Sequence, residues 1–390
     1  SALGRQRRLN SVGESVLQIA PNAAAAYSLR SLTGGDPKVV RVRRDIDNAE
    51  SDFTAAGISS GALTSFVNDI QTVGTAVNGT GSFDNYTVSN LSTTGFSADN
   101  SAGGTGSAGF PYVFKDEDVL VIKYTVTNFS STSSLSPKIR GTSSTSSATE
   151  VTSGGTIFTA NGTYTDTLTG TSNGTHLMFA DGNTGSYTIS DFEIVSHSSN
   201  GFVETWYDQS GNSNDAVQET AGSQPKIVSA GTLLNELDFD GTADELAIDF
   251  GADLSQANSL FMVHQSDSTS SNSNDFFDRI SGSPRTLLDQ SGSNYRMLSA
   301  SSVSTGVAVT TDKSLVFALY NGASSLFAKN GTATSVLNAG TDGINQNSSL
   351  GSSGSNFYNG TMQEVIIYNS DQSSNRVALE TNINNQYSIF

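Results

Sequence analysis

The chain has 390 residues, enough for two or three domains each with its own core, and only 14% are charged, with 38 glycines among abundant Ser, Thr and Asn. That profile belongs to short strands joined by many turns and excludes a helical protein, which needs more Ala, Leu, Glu and Lys. The lack of cysteine excludes disulfides and thiolate metal sites, and a net charge of −18 argues against nucleic acid and anionic membranes as partners.

Residues 1–20 read as a docking arm. Arg5, Arg7 and Arg8 make it basic, and Val12, Val16, Leu17 and Ile19 form a weakly amphipathic pattern that ends at Pro21. Eight of the 19 Lys/Arg fall in the first 44 residues beside only Glu14 and Asp36, so a basic head precedes an acidic body. The expected partner of such an arm is an acidic surface, including another copy of the chain. No aromatic residue is interleaved for base stacking, so no nucleic acid is expected. Charges at Arg5, Arg7, Arg8 and Glu14 interrupt any secretory apolar core, and Ser1-Ala2 matches a start left after methionine removal; an unprocessed cytoplasmic product is the expectation. No window approaches a membrane span, so no insertion is expected.

Ala24 to Leu32 precedes a Gly34-Gly35-Asp36-Pro37 turn and an alternating strand from Val39 to Arg44. Leu63, Phe66, Val67 and Ile70 then recur at helical spacing, which predicts one short helix over Ser60 to Ile70. Residues 78–198 are mostly Ser, Thr, Gly and Asn, with a strong strand at Val119–Phe129. Its predicted partners are Gly155–Phe158, Gly162–Leu168, His176–Ala180 and Ser186–Ile194, separated by turn signals at β-sandwich intervals. Within the low-complexity run Ser130 to Ser153, Leu135, Ile139 and Val151 keep enough apolar spacing for edge strands.

From Gly201 onward strands are predicted at Leu237–Phe239, Leu260–His264, Ser314–Tyr320, Ser325–Lys329 and Met362–Tyr368. A final helix over Ser374 to Tyr387 is expected to lie across the sheet. The most specific stretch is Trp206 to Gln218, where an aromatic pair runs into a dense cluster of Asp, Asn, Gly and Ser that marks a tightly hydrogen-bonded loop.

Together with Ala26–Arg30, Val40–Arg44, Asp47–Glu50 and Phe357–Met362, that stretch resembles the catalytic-domain pattern of the alpha-L-arabinofuranosidase B family. The resemblance implies a concanavalin A-like jelly roll over 21–77 and 199–390. Residues 78–198 are then an insertion, itself similar to β-sandwich carbohydrate-binding modules in Val121–Phe129, Ala160–Tyr164 and Gly185–Val195. The expected fold is therefore all-β: two β-sandwich (jelly-roll) domains, one inserted into the other, with a short N-terminal arm. Copies of this jelly roll without the enzyme's site recur in bacteriophage structural proteins.

A retaining glycosidase needs two carboxylates flanking the scissile bond. In the resembled family the nucleophile is a Glu, and the matching stretch here, Ala318–Gly322, has Tyr320 in its place. The stretch matching the acid/base loop, Leu350–Asn356, has no Asp or Glu. No catalytic residue is assigned and hydrolysis is not expected. Asp208, Asp215 and Glu364 read as turn caps or solvent-facing strand positions. His176, His197 and His264 lack metal or relay spacing and read as surface or partly buried residues.

No cofactor is called for. A Ca²⁺ held by Asp208, Asn212 and Asp215 is the single candidate, on a poor match to a calcium loop. For glycan contact the candidate platforms are Tyr112, Trp206, Tyr207 and Tyr358, with core packing as the competing reading for each. Two functional expectations follow. The first is a non-catalytic virion structural protein, as fibre, tail appendage or capsid decoration, contacting other virion proteins, copies of itself as a homo-oligomer such as a trimer, and a cell-surface glycan. The alternative is an extracellular, secreted glycan-binding protein or residual glycosidase.

Overall fold

A computed structural model describes residues 13–79, 87–99, 106–131, 138–145, 149–181 and 185–390; Arg5, Arg7, Arg8 and Leu135 lie outside the described residues. The described chain is all-β, with antiparallel pairing throughout its three sheets.

Eighteen strands, drawn from Ala25–Thr54 and from Gly201–Tyr368, are linked into one hydrogen-bonded system folded as two layers. In the first layer Leu326–Lys329, Ser314–Tyr320, Asn258–Ser266 and Asn359–Tyr368 lie side by side. Its strands are apolar on both faces, and alternate residues go to different cores. Leu260, Met262, Val316, Val365 and Ile367 enter the core shared with the second layer. Phe261, Val263, Leu315, Phe317 and Ile366 enter another on the opposite face. Burial of both faces explains why these strands read as unbroken hydrophobic runs rather than alternations.

The second face is covered by the chain's two ends. The helix Arg376–Tyr387 buries Leu379 and Ile383 there, and the single turn Val16–Ile19 buries Val16 beside them. Leu17 N–H donates to Leu32 O at 3.1 Å, and Asn382 Nδ2 donates to Glu14 O at 2.7 Å. Residues 13–20 are thus part of the body. This corrects the expectation of a docking arm through residue 20: Val16 and Ala20 are too apolar and too well enclosed to detach.

The second layer runs from Glu50–Thr54 through Lys38–Arg44, Gly201–Trp206, Ala216–Val217, Leu246–Asp249 and Asn347–Leu350 to Ser271–Arg279, Thr286–Gly292, Asn294–Ser299 and Ser302–Ala308. After Thr54 two short helices form: Ala62–Val67 lies within the helix expected over Ser60 to Ile70, and Ala55–Ser59 precedes it, unforeseen. The break is Gly61, whose φ of +83° ends the first helix, while Thr54 Oγ1 caps it by accepting from Gly57 N–H at 3.0 Å.

The strands between Val77 and Ser198 form the other two sheets. One has six strands, centred on Val119–Ser131 between Gly162–Gly170 and Gly185–Ser198; the other has four, centred on Gly106–Phe114 and Gly174–Asp181. Aromatic rings from both fill the space between them, among them Phe96, Phe110, Tyr124, Phe158, Phe179 and Phe192, with Phe110 stacked on Phe192 at 3.9 Å. The segment Gly155–Phe158, predicted as a strand, makes only a single bridge from Ile157 to Lys138. Gly154 and Gly155 both have φ near +90°, which turns the chain off the sheet after Thr152–Gly154.

Candidate functional site

Three places concentrate polar chemistry: the turn after Trp206, a buried acid cluster beside Tyr320, and a cleft between the two sandwiches. In the turn, Trp206 is fully buried with its ring 5.6 Å from that of Tyr27. Asp208 Oδ1 accepts from Ala26 N–H and Ser210 N–H at 2.8 Å each, and Oδ2 accepts from Ser210 Oγ at 2.6 Å and Asn214 N–H at 3.1 Å. Asp215 Oδ1 in turn accepts from Asp208 N–H at 2.8 Å. Asn212 Nδ2 donates to Ala23 O at 2.8 Å, and Gln209 Nε2 to Ser28 O and Arg30 O at 3.0 Å. The loop is a clasp that holds the strand Ala25–Ser28 in place.

This geometry corrects the Ca²⁺ candidate. Asp208 is ringed by N–H and O–H donors, whose positive ends repel a cation, and Asn212 donates to carbonyl groups instead of presenting its oxygen. Among the described residues no group of three or more His, Cys, Asp or Glu is placed to hold a metal.

Three of the four glycan-platform candidates are corrected in the same way. Tyr112, Trp206 and Tyr358 have 3%, 0% and 0% of their surface exposed, so no ring face is open to a sugar. Tyr112 Oη hydrogen-bonds His197 Nδ1 at 3.0 Å, and His197 Nε2 bonds Asp118 Oδ2 at 2.8 Å. Tyr358 Oη donates to Gln265 O at 2.7 Å. Both tyrosines are core residues whose hydroxyl found an internal partner. Tyr207 is half-buried, donates to Asp52 Oδ1 at 2.7 Å and carries the Lys38 ammonium 6.0 Å above its ring. The four are not gathered into one surface.

Two histidines also differ from expectation. His197 and His264 are buried, and His264 lies between Tyr358 Oη at 3.1 Å and Tyr295 Oη at 3.0 Å, where burial pushes its pKa down to about 3. Glu364, read as solvent-facing, is 1% exposed and forked by Arg30 at 2.7 and 2.9 Å.

Tyr320 is 1% exposed and its hydroxyl donates to Leu287 O at 2.7 Å. The 350–356 stretch lacks an acid of its own, but Asp275 from the strand Ser271–Arg279 stands behind it, where Ser353 and Asn356 favour its charged form against burial. Asp275 is 1% exposed, its Oδ2 has no partner among the described residues, and burial pushes it up to about 6. It lies directly across the sheet from Asp289. Asp289 is bound by Arg296 through Nε at 2.9 Å, and Asp278 by Arg285 at 3.0 and 2.6 Å. Sequence reasoning missed Asp275 because it reaches the loop from more than seventy residues away, with no local motif to announce it.

The cleft between the sandwiches has a volume of about 520 Å³. Arg43 forms one wall, donating to Gln224 Oε1 at 2.7 Å and Asn48 Oδ1 at 3.0 Å with its guanidinium 4.9 Å over the Phe202 ring. Lys226 crosses it to Glu117 Oε2 at 2.9 Å, joining the two sandwiches. Asp238, Asp240 and Asp244 also line it. Burial, then repulsion from Asp240, pushes Asp244 up to about 7; burial, then Asp267, raises Asp238.

No protein-family model and no curated protein matches the chain. Among solved structures it is similar to Trypanosoma rangeli sialidase. The complex with sialic acid shares 14% identity at a TM-score of 0.34 over 46% of this chain, and the sialidase without a named ligand 14% at 0.35 over 46%. In both cases the chain spans 31% of the sialidase's length. What the geometry itself establishes is the fold class, an all-β protein built of antiparallel sandwich layers.

Proposed function

We propose that the chain is a non-catalytic virion structural protein of a bacteriophage: a fibre, tail-appendage or capsid-decoration subunit that displays glycan-binding-type sandwich domains. The observation that carries this reading is Tyr320. Where the resembled enzymes hold their nucleophilic carboxylate, this chain has a phenol locked onto the Leu287 carbonyl under a closed core. A surface of short, tightly clasped turns on two rigid sandwiches suits passive architecture. The proposed partners are other virion proteins and further copies of the chain, as a trimer, with Arg5, Arg7 and Arg8 supplying charge for docking. Quantitative mass spectrometry of purified particles tests this: stoichiometric chain is expected, and its absence from intact particles overturns the reading.

A second reading rests on Asp275. A buried carboxyl raised to about 6, across the sheet from Asp289, which Arg296 binds, has the two-carboxyl character of a glycosidase pair. It favours the alternative of a secreted glycan-binding protein or residual glycoside hydrolase. Loss of turnover in Asp275→Asn, in a preparation that turns over a furanoside, is the result that selects it.

A further inference from the structure

We propose that the hairpin 352–357 is a strap over the buried carboxyl of Asp275, closed while that carboxyl is protonated and lifted when it ionises.

The strap is anchored at its feet and untied at its tip. Ser352 and Phe357 pair in a single bridge, below which Gly351 N–H donates to Phe276 O at 3.1 Å and Tyr358 N–H to Gly351 O at 2.8 Å. Gly351 has a φ of +83°, and a Cβ there would meet the Phe239 ring at 2.5 Å, so this foot is fixed. Past the bridge the hydrogen bonds stay within the hairpin: Ser353 N–H donates to Asn356 O at 3.2 Å and Gly354 N–H to Ser352 Oγ at 2.6 Å. Gly354, with a φ of +79°, and Ser355 are exposed at the tip. A segment bonded mainly to itself opens at little cost to the body beneath it.

What the strap covers is Asp275. Ser353 and Asn356 line a pocket of about 330 Å³ together with Asp278 and Arg285, while Asp275, behind them, does not reach it. Asp275 is 1% exposed, and its Oδ2 has no partner among the described residues. A neutral carboxyl sits there at far less cost than a carboxylate with a bare oxygen kept from water.

The surrounding charges do not relieve that cost. Asp289 stands directly across the sheet and Asp278 on the same strand, and both disfavour a charged Asp275. The two cations that feel Asp275 are committed, Arg296 to Asp289 at 2.9 Å and Arg285 to Asp278 at 3.0 and 2.6 Å. From the strap, Ser353 and Asn356 favour the charged form, but burial outweighs them. Once ionised, Asp275 is a third carboxylate against two arginines, and lifting the strap lets water reach it. Burial is the largest cause of its rise to about 6, so removing the cover returns it towards an ordinary Asp near 4. Ionisation therefore favours the lifted strap by up to about a hundredfold. The strap is closed in acid, opens progressively between pH ~4 and about 6, and opens no further above.

The chain has no cysteine, so Ser355→Cys takes a single nitroxide spin label, which does not titrate in this range. Electron paramagnetic resonance of the labelled full chain at a series of pH values reads the ratio of mobile to immobile label. That ratio is expected to rise about tenfold or more between pH ~4 and about 6 and then to level off. Asp275→Asn should abolish the rise, and Asp275→Ser, also neutral, takes its place if the first variant does not fold. A ratio that does not change with pH, or an equal rise in the neutral variant, overturns the proposal. None of these outcomes bears on the particle measurement or on turnover of a furanoside.

Discussion

The turn Asp208–Asp215 and the turn Asp240–Asp244 are built alike and end up with opposite chemistry. In each, the first Asp accepts backbone N–H groups from the residues that follow, and the last Asp caps the first one's own N–H, at 2.8 Å from Asp215 and 3.0 Å from Asp244. What differs is the surface opposite. The first turn faces the chain at Ala23–Ala26, which donates to Asp208 and accepts from Asn212 and Asn214. The second lines the cleft between the sandwiches. An Asx-rich loop therefore becomes a clasp or an open cleft wall according to what packs against it, not according to its own composition.

The comparison breaks hardest where an acid is closed by a charge. Arg30→Ala leaves Glu364, 1% exposed, without its fork, and should cost about 3–5 kcal/mol in equilibrium denaturation. Next comes the clasp itself. Asp208→Ala removes four accepted hydrogen bonds and should cost about 2–4 kcal/mol, whereas Asp244→Asn should be near neutral or stabilising above pH ~7, where the wild-type carboxylate is charged and poorly paired. Equal losses in the two variants would erase the distinction between clasp and cleft.

A smaller effect lies in pH dependence. Asp244, at about 7, and Asp275, at about 6, both titrate above an unfolded Asp, so the native state holds more protons than the unfolded state between pH ~4 and those values. Their contribution to stability is full below pH ~4 and is lost as pH rises through about 6 for Asp275 and about 7 for Asp244. Asp275→Asn and Asp244→Asn should flatten the lower and upper parts of that decline in denaturation midpoints measured against pH. The smallest expected effect is a null one. Millimolar Ca²⁺ should leave the melting temperature unchanged, because binding to the native state alone would raise it; a rise abolished by Asp208→Ala would restore the calcium loop.

Much of the fold was legible because strand signals are local. Leu260–His264, Ser314–Tyr320 and Met362–Tyr368 carry enough apolar residues to be recognised whichever face they bury, and each forms a strand. Punctuation by positive-φ glycines was harder: Gly61 closes an unforeseen helix over Ala55–Ser59, and Gly154 and Gly155 turn the chain away where a strand over Gly155–Phe158 was expected, since nothing local distinguishes them from glycines that continue an element. The site was less legible still. A tyrosine in a strand does not reveal which face it is on, so Tyr112 and Tyr358 looked like platforms until their hydroxyls were found bonded inside the core. Asp275, Asp238 and Asp244 owe their interest to neighbours distant in sequence, including Ser353, Asn356 and the Glu117–Lys226 bridge.

The proposed reading is that the chain does not hydrolyse furanosides, with Tyr320 closed in the core. The most direct measurement is release of chromophore from an aryl α-L-arabinofuranoside by the purified full chain. No release above buffer is expected from wild type, Asp275→Asn or Asp289→Asn alike. Turnover by wild type that disappears in either variant would contradict it.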